Sequence, residues 1–277
     1  MPTLDIGEQA IHFTERGEGE ALLVFADDIH ASAAYDGEMA HLAERFRVLA
    51  FDAPGTGAST REMRYLDERE FDPWNYRADL ACHLLLDLGI DRCFALGAGG
   101  GALATLHFAG RQAALHHLTA LGVVADSFLA DRDGRTLHRE LDRREHYLVR
   151  HGGELRRQHG EDWRSVIDAD TAFQRGIADR GGYAIGDHVL NAIRCPVLLT
   201  GSLQDDVTPG IAAAYARIAG IIPDCSVFLT STAHHRYGEE HPLMWADPEA
   251  FRSVADRFLA RSRRQVEGAA AQAATVP

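Results

Sequence analysis

Short apolar runs recur along this chain with room for a helix between most of them: Ala21 to Phe25, Phe46 to Phe51, Cys93 to Leu96, Ala120 to Val124, Pro196 to Thr200 and Ser226 to Thr230. Runs of this length bounded by turn residues suit strands buried on both faces, as a parallel sheet requires. The segments between them carry a helical period. Met39, Leu42, Ala43 and Phe46 fall on one stripe, and a further helix is expected from about Tyr76 to Leu88, entered after Pro73 and ended at Gly89. Strands alternating with helices fold as an α/β protein with a doubly wound, mostly parallel sheet.

From about Ser127 to Ile193 the rhythm changes to Arg, Glu, His and Leu at helical spacings, with no convincing strand. Residues 127–193 are therefore expected to form a helical cap on a core made of residues 1–126 and 194–262. Open α/β sheets bind ligands at the carboxyl ends of their strands, and the cap would roof that place. The alanine-rich end, residues 263–277, has low complexity and is expected to be disordered.

A formal net charge of -13 argues against nucleic-acid binding and for a small-molecule substrate or ligand. All 28 basic residues are arginines, which removes lysine Schiff-base chemistry and pyridoxal phosphate held in that way. Cys82, Cys93, Cys195 and Cys225 have no C-x-x-C spacing and read as reduced thiols, so cytoplasmic residence is expected. No stretch has the length of a signal peptide or a bilayer span. The histidines of segment 127–193, His138, His146, His151 and His159, lack a ligand spacing, and His116-His117 falls at an expected helix end. The expectation is no metal, no cofactor and no membrane partner, with a homodimer left open.

The segment Cys93 to Leu106 reads as a strand, a tight turn Gly97-Ala98-Gly99-Gly100-Gly101, and a helix. Phe51-Asp52-Ala53-Pro54-Gly55-Thr56-Gly57-Ala58-Ser59 has the form D-x-x-G-x-G-x-S. Phe71 to Leu80 and His159-Gly160-Glu161-Asp162-Trp163 supply two further blocks, and His241-Pro242-Leu243-Met244-Trp245 another. Spread over about Leu4 to Leu259, these segments resemble the α/β-hydrolase fold superfamily, which implies a helical cap inserted before the strand that carries the triad acid. The family's elbow reads G-x-S-x-G, with its nucleophile at the centre. Here the centre is Gly99, which offers neither oxygen nor sulfur for a covalent intermediate.

The resemblance further implies an acid after the strand that follows the cap. Gly201-Ser202-Leu203-Gln204-Asp205-Asp206-Val207-Thr208-Pro209 is one residue longer than the family pattern, and counting back from the proline favours Asp205, with Asp206 second. His241 takes the place of the general base, with His234 and His235 as competitors in the preceding insertion. Relatives have His-Gly after the third strand, beside the oxyanion; this chain has Ala26-Asp27, followed by Asp28. If they face the pocket, Asp27 and Asp28 become candidates for proton transfer or ligand binding. Ala98, Gly99 and Gly100 are expected to line the site through the backbone, and Trp163 to face the ligand from the cap. Ser59, Ser127 and Ser202 match ordinary turn positions and not the elbow. A dinucleotide-binding reading of the glycine run is weaker, since its strand is not the first of the chain.

These readings imply an enzyme without covalent catalysis, of lyase, cyclase or isomerase type, in which Asp205 and His241 act as general base. Natural-product biosynthesis is a setting in which members with nonstandard elbows occur. The alternatives are a noncatalytic small-molecule binder, and a hydrolase using water activated by His241. Retention of Asp205 and of the His241 segment favours chemistry over binding alone.

Overall fold

The structure, a computed structural model, describes residues 2–62, 71–111, 118–235 and 241–273; the side chains of 232–235, 266, 267 and 269–273 lie outside it. The chain begins with the hairpin β1 (Thr3–Ile6) and β2 (Gln9–Arg16), then β3 (Ala21–Phe25), α1 (Asp36–Leu42), β4 (Arg47–Phe51), α2 (Pro73–Asp87), β5 (Arg92–Ala98), α3 (Gly100–Arg111) and β6 (Thr119–Asp126). Next come β7 (Asp131–Asp133), α4 (Gly134–His159), α5 (Trp163–Asp179), β8 (Gly182–Ala184) and α6 (Asp187–Ala192). The chain closes with β9 (Val197–Asp205), α7 (Ile211–Ile221), β10 (Cys225–His235), α8 (Leu243–Ala246) and α9 (Pro248–Ala273).

Among the described residues, an eight-stranded sheet runs in the order β1-β2-β4-β3-β5-β6-β9-β10. From β4 to β10 every pairing is parallel, while β2 pairs antiparallel with both β1 and β4 and so runs against the rest of the sheet. β5 pairs with β3 on one side and β6 on the other, so the turn after it opens mid-sheet, at the strands' carboxyl ends. One core cluster lies on the face covered by α2, α3, α6 and α7, and the other on the face covered by α1 and α9. α2 starts where Asp72 accepts the N–H groups of Trp74 and Asn75, with Pro73 in the first turn.

Three expectations need correction. β1 and β2 are strands that the apolar-run criterion passes over, because edge strand β1 has no buried residue and β2, next to it, is buried only over Ile11 to Phe13, so neither is apolar throughout. Segment 127–193 is not wholly helical: β7 and β8 pair antiparallel, each of only three residues and too short to show a period. α9 continues to Ala273, past the boundary set for a disordered tail, since alanine is the best helix former and its runs extend a helix already nucleated on the core. His116 and His117 lie outside the described residues. No helix among the described residues is long and apolar enough to cross a membrane.

Candidate active site

Gly99 sits between β5 and α3 with φ +54°, and its N–H donates to the Asp126 carbonyl at 3.0 Å. A side chain here would collide with Asp27, because a Cβ on Gly99 would lie 2.4 Å from Asp27 Oδ1 and 2.8 Å from Oδ2. A Cβ on Gly100 would lie 2.1 Å from Asp28 Oδ1. The glycines of the elbow are thus the steric complement of the two carboxylates after β3. Asp27 Oδ1 accepts the N–H of Asp28 and the N–H of Gly100, each at 2.7 Å. In this fold the oxyanion is held by the N–H after the elbow centre together with an N–H from the loop after the third strand. A carboxylate oxygen of the protein itself fills that place.

The Gly100 N–H is not free for an anionic ligand, and the volume left by the missing side chain holds Asp27 in place of substrate.

Across the cavity, His241 Nδ1 lies 3.1 Å from Asp205 Oδ2. Asp205 also accepts the Val207 N–H at 2.8 Å and the Thr208 hydroxyl at 2.6 Å, while Asp206 is exposed. Burial alone would push the Asp205 carboxyl up, but His241, Thr208 and Val207 together hold it well below the usual range. Burial likewise opposes charge on His241, and the carboxylates of Asp205, Asp27 and Asp126 outweigh it, so the imidazole is held above its ordinary value. The side chains of the competitors His234 and His235 lie outside the described residues.

Asp126, at the buried end of β6, was not singled out from sequence. Its Oδ2 accepts the Met244 N–H at 2.9 Å, and its Oδ1 accepts the Thr200 hydroxyl at 2.8 Å and the Ser127 hydroxyl at 3.1 Å. Ser127 Oγ accepts the Leu243 N–H at 3.0 Å. One residue therefore anchors both the elbow, through its carbonyl, and the segment that carries His241. Burial pushes its carboxyl up to about 6. The available signal was a carboxylate closing a buried strand in a parallel sheet, where ligands gather.

Between elbow and cap lies a cavity of about 120 Å³, lined by Asp27, Asp28, Gly99, Gly100 and His241 from the core. α4 contributes Glu140, Arg144 and Tyr147, and α5 contributes Gln174. Water needs about 10–15 Å³ by this measure, so only a small organic molecule fits. Most charges on the wall are paired: Asp28 Oδ1 with Arg77 at 3.0 Å, Arg144 with Asp170 at 2.6 Å, and Glu140 with Arg132. Asp28 also accepts the Trp74 Nε1–H at 2.9 Å and a Gln174 N–H at 3.2 Å. Burial nonetheless pushes its carboxyl up to about 6. A second cavity, about 380 Å³, lies beyond the His30–Tyr147 pair, joined at 3.1 Å, and also reaches His241.

Trp163 is not on the cavity wall. It packs with the apolar cluster of α4 and α5, against Gly152, because the hairpin of those helices needs its own small core. Trp74 is the tryptophan that reaches the cavity. Ala98 is fully buried in the sheet-side core, since strand alternation turns its Cβ away from the cavity. Ser59 donates to the Asp52 carbonyl and Ser127 to Asp126, and Ser202 lies buried on β9, so none of these serines faces the cavity. Among the described residues no group of three or more His, Cys, Asp and Glu converges as a metal shell.

No protein-family profile matches the chain. "Putative carbamate hydrolase RutD" of Pantoea ananatis is 29% identical over 250 residues, 83% of this chain and 85% of that protein. Among solved structures, a membrane phospholipase A matches with a TM-score of 0.74 at 18% identity, over 95% of this chain and 86% of that one. The enol-lactonase of Burkholderia xenovorans matches with a TM-score of 0.67 at 17% identity, over 94% of this chain and 100% of the other. These similar proteins are named as hydrolases, and at such identities the solved structures establish a shared architecture. With its mostly parallel eight-stranded sheet, the chain has the α/β-hydrolase fold that these solved structures share.

Proposed function

We propose that the chain is an enzyme that acts on a small organic substrate by proton transfer, without an acyl-enzyme and without a cofactor, with Asp205 and His241 as its acid–base pair. Lyase, cyclase or isomerase chemistry fits this description. The observation that carries the reading is Asp27 Oδ1, which accepts both N–H groups that acyl transfer would need for its oxyanion. A hydrolase lacking an elbow nucleophile and holding an anion in its oxyanion site has lost both parts that make an acyl intermediate accessible. The acid–base pair is kept: His241 faces the cavity and Asp205 orients it.

A second reading, hydrolysis by water that His241 activates, draws support from the hydrolase names of the similar proteins. Two measurements separate them. Wild-type protein in D2O with small enolisable ketones is expected to catalyse deuterium uptake, lost by about 10²–10⁴-fold in His241→Ala. Esters and carbamates in oxygen-18-labelled water are expected to give no labelled product, and a fluorophosphonate probe no adduct. Labelled acid from either class would replace the proposal by hydrolysis. Saturable binding of the ketones with no exchange would make the protein a binder.

A further inference from the structure

Asp27 has one oxygen committed and one presented. Oδ1 holds the N–H groups of Asp28 and Gly100, and the residue's own backbone N–H donates to Tyr35 Oη at 3.1 Å, so the residue is held at its backbone and at one carboxylate oxygen. Oδ2 makes no hydrogen bond among the described residues, and it lies 2.8 Å from the point where a Gly99 side chain would begin. That point is where an elbow nucleophile would project, and Asp27, Gly99 and His241 line the same cavity. The other carboxylates on this wall, Asp28 and Glu140, are each tied to an arginine. Of the two imidazoles on this wall, His30 is engaged by Gln158 and Tyr147, which leaves the Asp27 Oδ2 and the His241 ring as the acid–base groups of the cavity.

We infer that Asp27 is a catalytic residue: its Oδ2 takes a proton from a carbon or hydroxyl of the substrate, and the imidazolium of His241 returns a proton to a second atom of that molecule. This assignment rests on the acid–base reading and divides its two roles. The substrate's C–H or O–H bond breaks with its electron pair left on the substrate, and the proton bonds Oδ2. The N–H bond of His241 breaks as the new bond to the substrate forms. One proton then passes through solvent from Asp27 to His241, which restores both groups, and the substrate has gained and lost nothing but the position of a hydrogen. Where the second atom is a β-hydroxyl, water departs with the proton instead. The substrate class is a neutral, enolisable carbonyl or β-hydroxycarbonyl compound, since an anionic group would be repelled by Asp27 and an acyl oxyanion finds both N–H donors taken.

Asp27→Asn is the discriminating variant, because its amide oxygen still accepts both N–H bonds while the base is gone. Deuterium uptake into cyclohexanone in D2O, followed by NMR, is expected to fall by about 10²–10⁴-fold in this variant with its circular dichroism and Tm unchanged. Glycidol supplies a second readout that needs no turnover. Attack of Oδ2 on an epoxide carbon opens the C–O bond, the alkoxide takes a proton, and peptide mapping is expected to find the ester on Asp27. Uptake at the wild-type rate in Asp27→Asn, with uptake lost in His241→Ala, overturns the role of Asp27 and leaves the acid–base reading standing. No uptake above buffer in the wild type overturns both. Glycidol on other residues with Asp27 unmodified shows that Oδ2 is not presented, and also overturns the inference.

Discussion

Gly99 and Asp27 are two halves of one substitution, and neither is interpretable alone. A serine at 99 would bring its Cβ to 2.4 Å from Asp27 Oδ1 on a backbone at φ +54°. Gly99→Ser alone is expected to lose about 1–3 kcal/mol of stability in urea denaturation, from overpacking and the positive φ. It should gain no reactivity towards a fluorophosphonate, since Asp27 still occupies both N–H donors. Gly99→Ser combined with Asp27→Gly relieves the contact and frees the donors beside an intact Asp205 and His241. The double variant is expected to recover about 0.5–3 kcal/mol over additivity and to acquire the probe as a covalent adduct. Additive stabilities, or labelling already present in the single variant, would show that the two positions are not coupled.

Secondary structure places these residues, and the cap holds them under a roof through few links. His159, the last residue of α4, accepts the Gly57 N–H on Nδ1 at 3.0 Å and donates from Nε2 to the Ile29 carbonyl at 3.1 Å. Those bonds fix the tautomer, and burial pulls the imidazole below its ordinary value. Gly57 belongs to the turn organised by Asp52, whose carboxylate accepts the Ser32 N–H at 2.7 Å and the Ala58 N–H at 2.8 Å. Arg61 adds a surface link to Asp162 at 2.9 Å, which solvent screens. His159→Ala leaves a buried N–H and a carbonyl unpaired and is expected to lose about 2–4 kcal/mol. Arg61→Ala should lose less than about 1 kcal/mol. Limited proteolysis should cut the His159→Ala protein faster between α4 and α5. Equal losses in the two variants would mean that the cap is held by its apolar contacts instead.

Across the whole molecule, what the sequence made legible followed from local rules. Buried parallel strands are continuously apolar, so β3, β4, β5, β6, β9 and β10 stood out, whereas Asp205 and His241 were singled out by the resemblance of their segments to the family's motifs. What local rules cannot supply is the direction in which a cap helix points its side chains. Glu140, Arg144 and Tyr147 were therefore invisible as cavity residues, and Trp163 was misplaced. Asp126 was hidden because its role depends on a contact with Met244, far away in the chain. These buried groups act together on stability through pH. Asp28 and Asp126 are each raised from 3.8 to about 6, so the folded state binds protons more tightly than the unfolded one. Their contribution is present at low pH and is lost as pH rises from about 4 through 6, by an order of about 3 kcal/mol each. His30 is lowered from 6.5 to about 4 by burial, so its contribution is present above 6.5 and lost as pH falls. His30 offsets about one of the two carboxyl terms over this window, so the three groups together leave a net loss of stability as pH rises from about 4 to 6. Asp126→Asn removes one falling term, and a turned amide can accept from Met244 and donate to Thr200. Relative to wild type it should therefore gain about 1–3 kcal/mol at pH 7.5 and change little at pH 4.5 in urea denaturation. An equal shift at both values would mean that the substitution alters packing and that Asp126 does not titrate between them.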